Sequence, residues 1–210
     1  MNNKKTLYLI ASVIGGFLLI KLLKSSGMSF KKKLVDLAES EYKKWNNPTK
    51  IKEGDPRTMK DLRNYYKIGT GLNWSDQKMI STAWSATFVS YLMKMAGAGK
   101  NFLYSTLHSD YIQRAKKNKA NGIKTFQAYK PNEIAITPGD LVCYPRQVGV
   151  TYETSGGYFA HCDIVTNIEN NKATAIGGNV NNSVSKSTYT IDGNNKITDP
   201  KIHVVIKTLI

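Results

Sequence analysis

Apolar residues recur at helical spacing in the first half of this chain and at alternating, strand-like spacing in the second. Between Ala83 and Gly97, residues Trp84, Phe88, Leu92, Met95 and Ala96 fall on one face, which predicts a core helix with Ser85 in its first turn. Ser81 and Thr82 are the candidate caps and Gly97 the stop. Phe30 to Trp45 is a second amphipathic helix, with Leu34, Leu37, Ala38, Tyr42 and Trp45 together and Ser29 as its cap. Shorter helices are expected from Thr58 to Tyr66 and from about Leu107 to Asn118. Beyond Lys124 the pattern changes. Strands are predicted at Asp140–Tyr144, Ala160–Ile168, Ala173–Ile176, Thr188–Ile191 and His203–Leu209, with turns at Pro138-Gly139, Asn170-Asn171, Gly177-Gly178 and Asp192-Gly193. Helices first and an antiparallel sheet second is an α+β layout.

The segment before this domain reads differently. Fifteen uncharged, mostly apolar residues lie between Lys5 and Lys21, and Leu22 and Leu23 extend the run. That length sits near the lower limit of about 17–25 residues for a membrane span. Lys24-Ser25-Ser26-Gly27 lacks a small-x-small cleavage site, which favours an uncleaved single-pass anchor over a cleaved signal. The expected organisation is therefore an anchor over 1–24, touching lipid through 6–23, a hinge over 25–29 and one domain over 30–210. The lysines flanking the span lean towards a cytoplasmic domain, against the exported setting that the chemistry below prefers.

Composition narrows the function classes. The 210 residues include 30 Lys and Arg against 15 Asp and Glu, a net charge of +15, and 41% are hydrophobic, enough for a real core. The surplus is nearly all lysine, since the arginines are Arg57, Arg63, Arg114 and Arg146 alone. Lysine suits loose attraction to anionic lipid or a wall polymer. Nucleic acid is disfavoured, because planar readout leans on arginine and no zinc-finger spacing, phosphate loop or basic recognition helix is present. Cys143 and Cys162 are too few for a disulfide framework. They lie in two predicted strands and are compatible with one bridge, which sequence leaves undecided. Three scattered histidines, 108, 161 and 203, announce no metal site, and no cofactor is expected.

The chemistry-bearing residues are few. A hydroxyl at a helix N-terminus, Ser85, meets the positive end of the dipole and free backbone N–H groups. His161 opens a strand, and alternation puts His161, Asp163 and Val165 on one face with Cys162 and Ile164 on the other. Cys162 therefore points away from His161. Asp163 is placed to pair with His161 or with a nearby lysine, and ranks below Asn179 as an orienting group. His108, near Ser105 and Tyr111, is a candidate cleft-lining residue or a helix-terminal polar contact.

Four motifs follow in order: Trp84-Ser85-Ala86, Gly139-Asp140-Leu141-Val142, Ala160-His161-Cys162-Asp163-Ile164-Val165 and Ile176-Gly177-Gly178-Asn179-Val180. That order resembles the papain-like cell-wall hydrolases, in particular the CHAP-type amidases, whose helix start is Trp-Cys-Ala. It also resembles an uncharacterised bacterial branch of that grouping with Trp-Ser-Ala, whose His-Cys-Asp-Ile-Val and Gly-Gly-Asn-Val motifs match here. The resemblance covers Phe30 to Leu209 and implies a papain-like α+β domain. It also implies Ser85 as nucleophile, His161 as general base and Asn179 as the group that orients the imidazole. Gln77 and Trp84 are candidates to line the oxyanion or substrate site, with His108 and Asp163. The function so implied is a membrane-anchored hydrolase of amide bonds in peptidoglycan. The alternative is an inactive papain-like binding or structural module of an envelope complex or phage virion. The departure is the serine: a hydroxyl needs a better-oriented base than a thiol does, and Asn179 offers no charge.

Overall fold

The structure, a computed structural model, describes residues 28–210. Among the described residues five α-helices precede a six-stranded sheet, as the change of period predicts. Helix α1 (Phe30–Asn46) starts at Ser29, whose hydroxyl accepts from the Lys32 N–H. It buries Leu34, Leu37, Ala38 and Trp45, and also Glu41, whose carboxylate accepts from the Tyr65 hydroxyl and from Lys44. Helix α2 (Pro56–Asn64) begins with Pro56 behind the Asp55 cap, where a missing N–H costs nothing. A π-helical turn over Tyr65–Thr70 follows, then the short α3 (Asp76–Ile80).

Helix α4 (Ser85–Ala96) is the central element. Ser85, Ala86, Thr87, Phe88, Val89, Ser90, Leu92, Met93 and Ala96 are all buried, so it is enclosed on nearly every side. Gly97, at φ 99°, closes it in the left-handed conformation, with the Ala98 N–H returning to the Met93 carbonyl at 3.0 Å. Helix α4 is approached closely twice. A Cβ on Gly69 would lie 2.9 Å from the Thr87 carbonyl oxygen, and one on Gly178 only 2.6 Å from Phe88 Cβ. Trp84 packs against both Trp45 and Tyr65, which also touch one another, and this locks the start of α4 against α1. Helix α5 (His108–Ala120) completes the helical layer.

Six strands form one antiparallel sheet in the order β1-β6-β2-β3-β4-β5. They are β1 (Phe126–Tyr129), β2 (Leu141–Pro145), β3 (Ala160–Glu169), β4 (Lys172–Gly177), β5 (Ser185–Thr190) and β6 (Val204–Thr208). One face carries Leu141, Cys143, Cys162, Ile164 and Ile206 into the core shared with the helices. The other carries Val142, Val165, Ala175 and Val205 against Ile136, Ile191, Ile197 and Ile202 from the connecting segments. Five of the strands match the predicted segments to within a few residues. Strand β1 went unpredicted because its four residues, Phe-Gln-Ala-Tyr, are too short to display a period.

Two expectations are settled. Cys143 and Cys162 face one another across β2 and β3 and form a disulfide, with Cα atoms 4.1 Å apart. The expected single-pass membrane helix is corrected. Among the described residues no helix is long and apolar enough to cross a membrane, and residues 6–23 lie outside the described residues. The anchor, its contact with lipid and the membrane localisation built on it therefore lack support, and the fold is α+β without them.

The bridge closes a loop between residues 19 apart in sequence, a constraint worth about 3 kcal/mol through the unfolded chain. Reduction under mild denaturant is expected to lower the unfolding free energy by roughly that amount. Urea titrations of the oxidised and reduced protein with coincident midpoints would show that the bridge contributes nothing.

Candidate active site

The start of α4 opens into a cleft of about 790 Å³. Ser85, His108, Tyr144, Arg146, Phe159 and Asn179 are among the residues that line it. The N-cap of α4 is Trp84, not Ser81 or Thr82, and its side chain caps nothing. The first-turn N–H groups have no intrahelical partner, so donors and the positive end of the helix dipole stay available at the cleft wall.

Ser85 Oγ lies 2.7 Å from His108 Nε2. On the other side of the same ring, Nδ1 is hydrogen-bonded to the Tyr111 hydroxyl. His108 and Tyr111 are three apart on α5, hence on one face. Burial, reinforced by His161 and Arg146, pushes the pKa of His108 well below its ordinary 6.5. The ring is therefore neutral. Burial, with the fields of Asp163 and Asp110, pushes Tyr111 well above 10, so the phenol keeps its proton. That proton needs an acceptor, and His108 Nδ1 is the partner at hand. Hydrogen-bond accounting thus leaves the His108 proton on Nε2, donating to Ser85 Oγ.

A second pair sits behind the first. His161 and Asp163 are both fully buried, and His161 Nε2 is 2.6 Å from Asp163 Oδ1. The Tyr189 hydroxyl donates to Asp163 Oδ2 at 2.5 Å. Burial alone would raise the pKa of Asp163. His161 beside it, with hydrogen bonds from His161, Tyr189 and Ser187, outweighs that and holds it below the usual carboxylate value. His161 Nδ1 faces an Arg146 guanidinium nitrogen at 3.1 Å. A guanidinium only donates, so Nδ1 carries the lone pair and Nε2 the proton that Asp163 accepts. The His108 and His161 rings are 5.2 Å apart, centroid to centroid.

Local sequence explains this arrangement. Alternation along β3 puts His161 and Asp163 on one face, and the register sets Tyr144 opposite His161. Gly177 leaves the necessary hollow: a Cβ there would lie 1.8 Å from Asp163 Oδ1 and 2.9 Å from His161 Nε2.

Of the residues singled out from sequence, Ser85, His108 and Asn179 line the cleft, while His161 and Asp163 form the buried pair behind it. No hydrogen bond joins Ser85 to His161; the Ser85 partner is His108. Asn179, half-buried at φ 57°, lies on the opposing loop, and Asp163 occupies the place beside His161 Nε2. Trp84 is wholly buried and its indole N–H donates to Glu53. Gln77 is exposed on α3, away from the cleft lining. Four contributors were missed: Tyr111, Tyr144, Arg146 and Tyr189. The helical spacing of His108 and Tyr111 was a usable signal. The others depend on how the strands pair, with Tyr144 opposite His161 across β2 and β3 and Tyr189 opposite Ala173 across β4 and β5.

A buried neutral histidine bonded to a serine at an uncapped helix start, backed by a His–Asp pair, defines an α+β domain with a serine-centred polar cleft. The chain belongs to a bacterial family described as "Uncharacterized protein conserved in bacteria (DUF2272)", whose model matches residues 51–208. No curated protein matches the sequence. Two solved structures of Ly7917 are similar at 13% identity over 85% of this chain. One is described as Ly7917 "with the hydrolyzing product of MDP" (TM-score 0.38, 63% of that chain covered) and the other as Ly7917 (TM-score 0.39, 62% covered). The chain thus spans less than two thirds of the length of those structures.

The neutral state of His108 makes stability depend on pH. Above the unfolded value of about 6.5 the ring is neutral in both states and stability is complete; below it, the unfolded chain takes up a proton that the native site refuses. The melting temperature is expected to fall between about pH 7 and about pH 5 and to fall less steeply in His108→Gln. His203, also shifted down by burial, accounts for part of the remaining slope. Parallel melting curves for the two proteins would count against a neutral buried His108.

Proposed function

We propose that this protein is a serine-dependent hydrolase of amide bonds in peptidoglycan. The observation that carries the reading is the 2.7 Å contact between Ser85 Oγ and a neutral His108 at the mouth of an uncapped helix. The papain-like, CHAP-type order of motifs along the chain supports the substrate class, and the bacterial family and lysine-rich composition agree with it.

In this reading Ser85 Oγ attacks the amide carbonyl. His161, oriented by Asp163, receives the serine proton at Nδ1 and returns it to the leaving amine. The carbon–nitrogen bond breaks as the ester to Ser85 forms, and water then hydrolyses that ester with His161 as base again. Asp163 supplies the charge that a neutral asparagine lacks: it stabilises the imidazolium that forms on His161. His108 is a poor proton acceptor, because burial and Arg146 both oppose its charging. It serves as a neutral donor, steadying Ser85 Oγ as negative charge develops. The backbone N–H of Ser85 faces the substrate oxyanion. Asn179, across the cleft, is assigned to substrate contact rather than to orienting His161.

Digestion of purified peptidoglycan tests the roles. Ser85→Ala is expected to abolish product release. Asp163→Asn is expected to lower kcat by roughly 10³- to 10⁴-fold, as loss of the charged partner does in serine triads. His108→Gln, which keeps a donor, is expected to retain at least about ten times the activity of His108→Ala. Equal loss in both His108 variants would make that ring the base. Undiminished release by Ser85→Ala would end the serine mechanism.

A further inference from the structure

The cleft is lined by one charged side chain, Arg146, and by no carboxylate. All 15 acidic residues of the chain lie among the described residues, and none forms an ion pair with Arg146. Arg57 and Arg63 show the contrast, each forking two nitrogens onto an aspartate. Arg146 instead donates to the neutral His161 Nδ1 at 3.1 Å and reaches the Tyr144 hydroxyl at 3.5 Å. It is exposed, while the ring it covers is wholly buried. An arginine whose fork is open to the cleft, resting on an imidazole lone pair, is a receptor for a carboxylate.

We propose that Arg146 selects substrates with a free carboxylate beside the scissile amide, and that binding this carboxylate uncovers the base. The inference rests on the reading of His161 as base. A single hydrogen bond to a neutral nitrogen gives way to a bidentate, charge-assisted pair. The guanidinium then swings off Nδ1, and the lone pair it covered becomes free to take the serine proton. Arg146 touches the substrate away from the reacting atoms, so it is a specificity residue. In the absence of a carboxylate it keeps the base covered. The peptide stems of bacterial walls carry such groups, and amidation removes them.

The test uses the full chain and two synthetic stem peptides, L-Ala-γ-D-Glu-L-Lys-D-Ala with both carboxylates free and the same peptide with both as carboxamides. Titration calorimetry with Ser85→Ala protein, which binds without turnover, is expected to give the free acid at least about tenfold tighter binding. Arg146→Gln is expected to erase that preference, and Arg146→Lys to keep part of it. In turnover, Arg146→Gln is expected to raise kcat on the dicarboxamide, because the base is no longer covered; a residue that only shaped the cleft would not do this. Equal binding of both peptides, or a preference that survives Arg146→Gln, overturns the proposal. A binding preference that depends on Arg146 without hydrolysis by the wild type would keep the carboxylate receptor and refute the hydrolase reading and the uncovering of the base. Hydrolysis without preference would keep the hydrolase reading and refute both the carboxylate receptor and the uncovering of the base.

Discussion

A carboxylate with no access to water, Asp163, sets the terms for the rest of the structure. Removing such a charge from solvent costs several kcal/mol, and it persists only where hydrogen-bond donors repay the loss. Here the donors come from different elements, His161 two residues along β3 and Tyr189 on β5. Strand β4 runs between β3 and β5, and the pair fits because Gly177, at its end, contributes no side chain. The register of three neighbouring strands is thus tied to one ionised group. A slip of one residue would turn Asp163 to the opposite face of the sheet.

The same constraint shapes the cleft. With Nε2 bound to Asp163, His161 presents Nδ1 towards Arg146. His108 is pinned in turn between Ser85 and Tyr111 and held neutral by burial. Two imidazoles 5.2 Å apart therefore sit in different electrostatic settings, one next to a buried anion and one held between two hydroxyls with no carboxylate on either nitrogen. Such divergence between neighbouring titratable groups is a common mark of divided acid–base labour. It is the physical basis for giving the two rings different roles in the proposed mechanism.

Much of the scaffold was legible in the sequence, because periodicity reports burial directly. The extent of α4, the Gly97 stop and the division of β3 residues between two core faces all carried into the structure. The site was only partly legible, for a reason that is physical too. Ser85 and His161 announce themselves through local context, a helix start and a strand opening. The partner of each is decided by tertiary register. Asn179 and Asp163 were both available to hold His161, and only the hollow at Gly177 distinguishes them. Pairing of Ser85 with His108 depends on how α5 packs beside α4, which no periodicity reveals. Arg146 looked like one basic residue among thirty; what separates it is its seat on His161 in a cleft lined by no carboxylate.

Another part of the cleft lining is built on another principle. Asn179, Asn181 and Asn182 all adopt left-handed backbone angles on the loop after β4. The loop hangs from the segment before α2 through the Glu53 N–H to the Asn182 carbonyl at 2.7 Å and the Ser183 hydroxyl to the Ile51 carbonyl at 2.7 Å. Neither bond uses an asparagine side chain. The position of this wall is thus decoupled from the amides it displays. Glycine or aspartate, which tolerate the same angles, can replace them without unseating the loop. Three side chains of the cleft lining can thus change without disturbing the scaffold, while the buried carboxylate leaves almost nothing to vary.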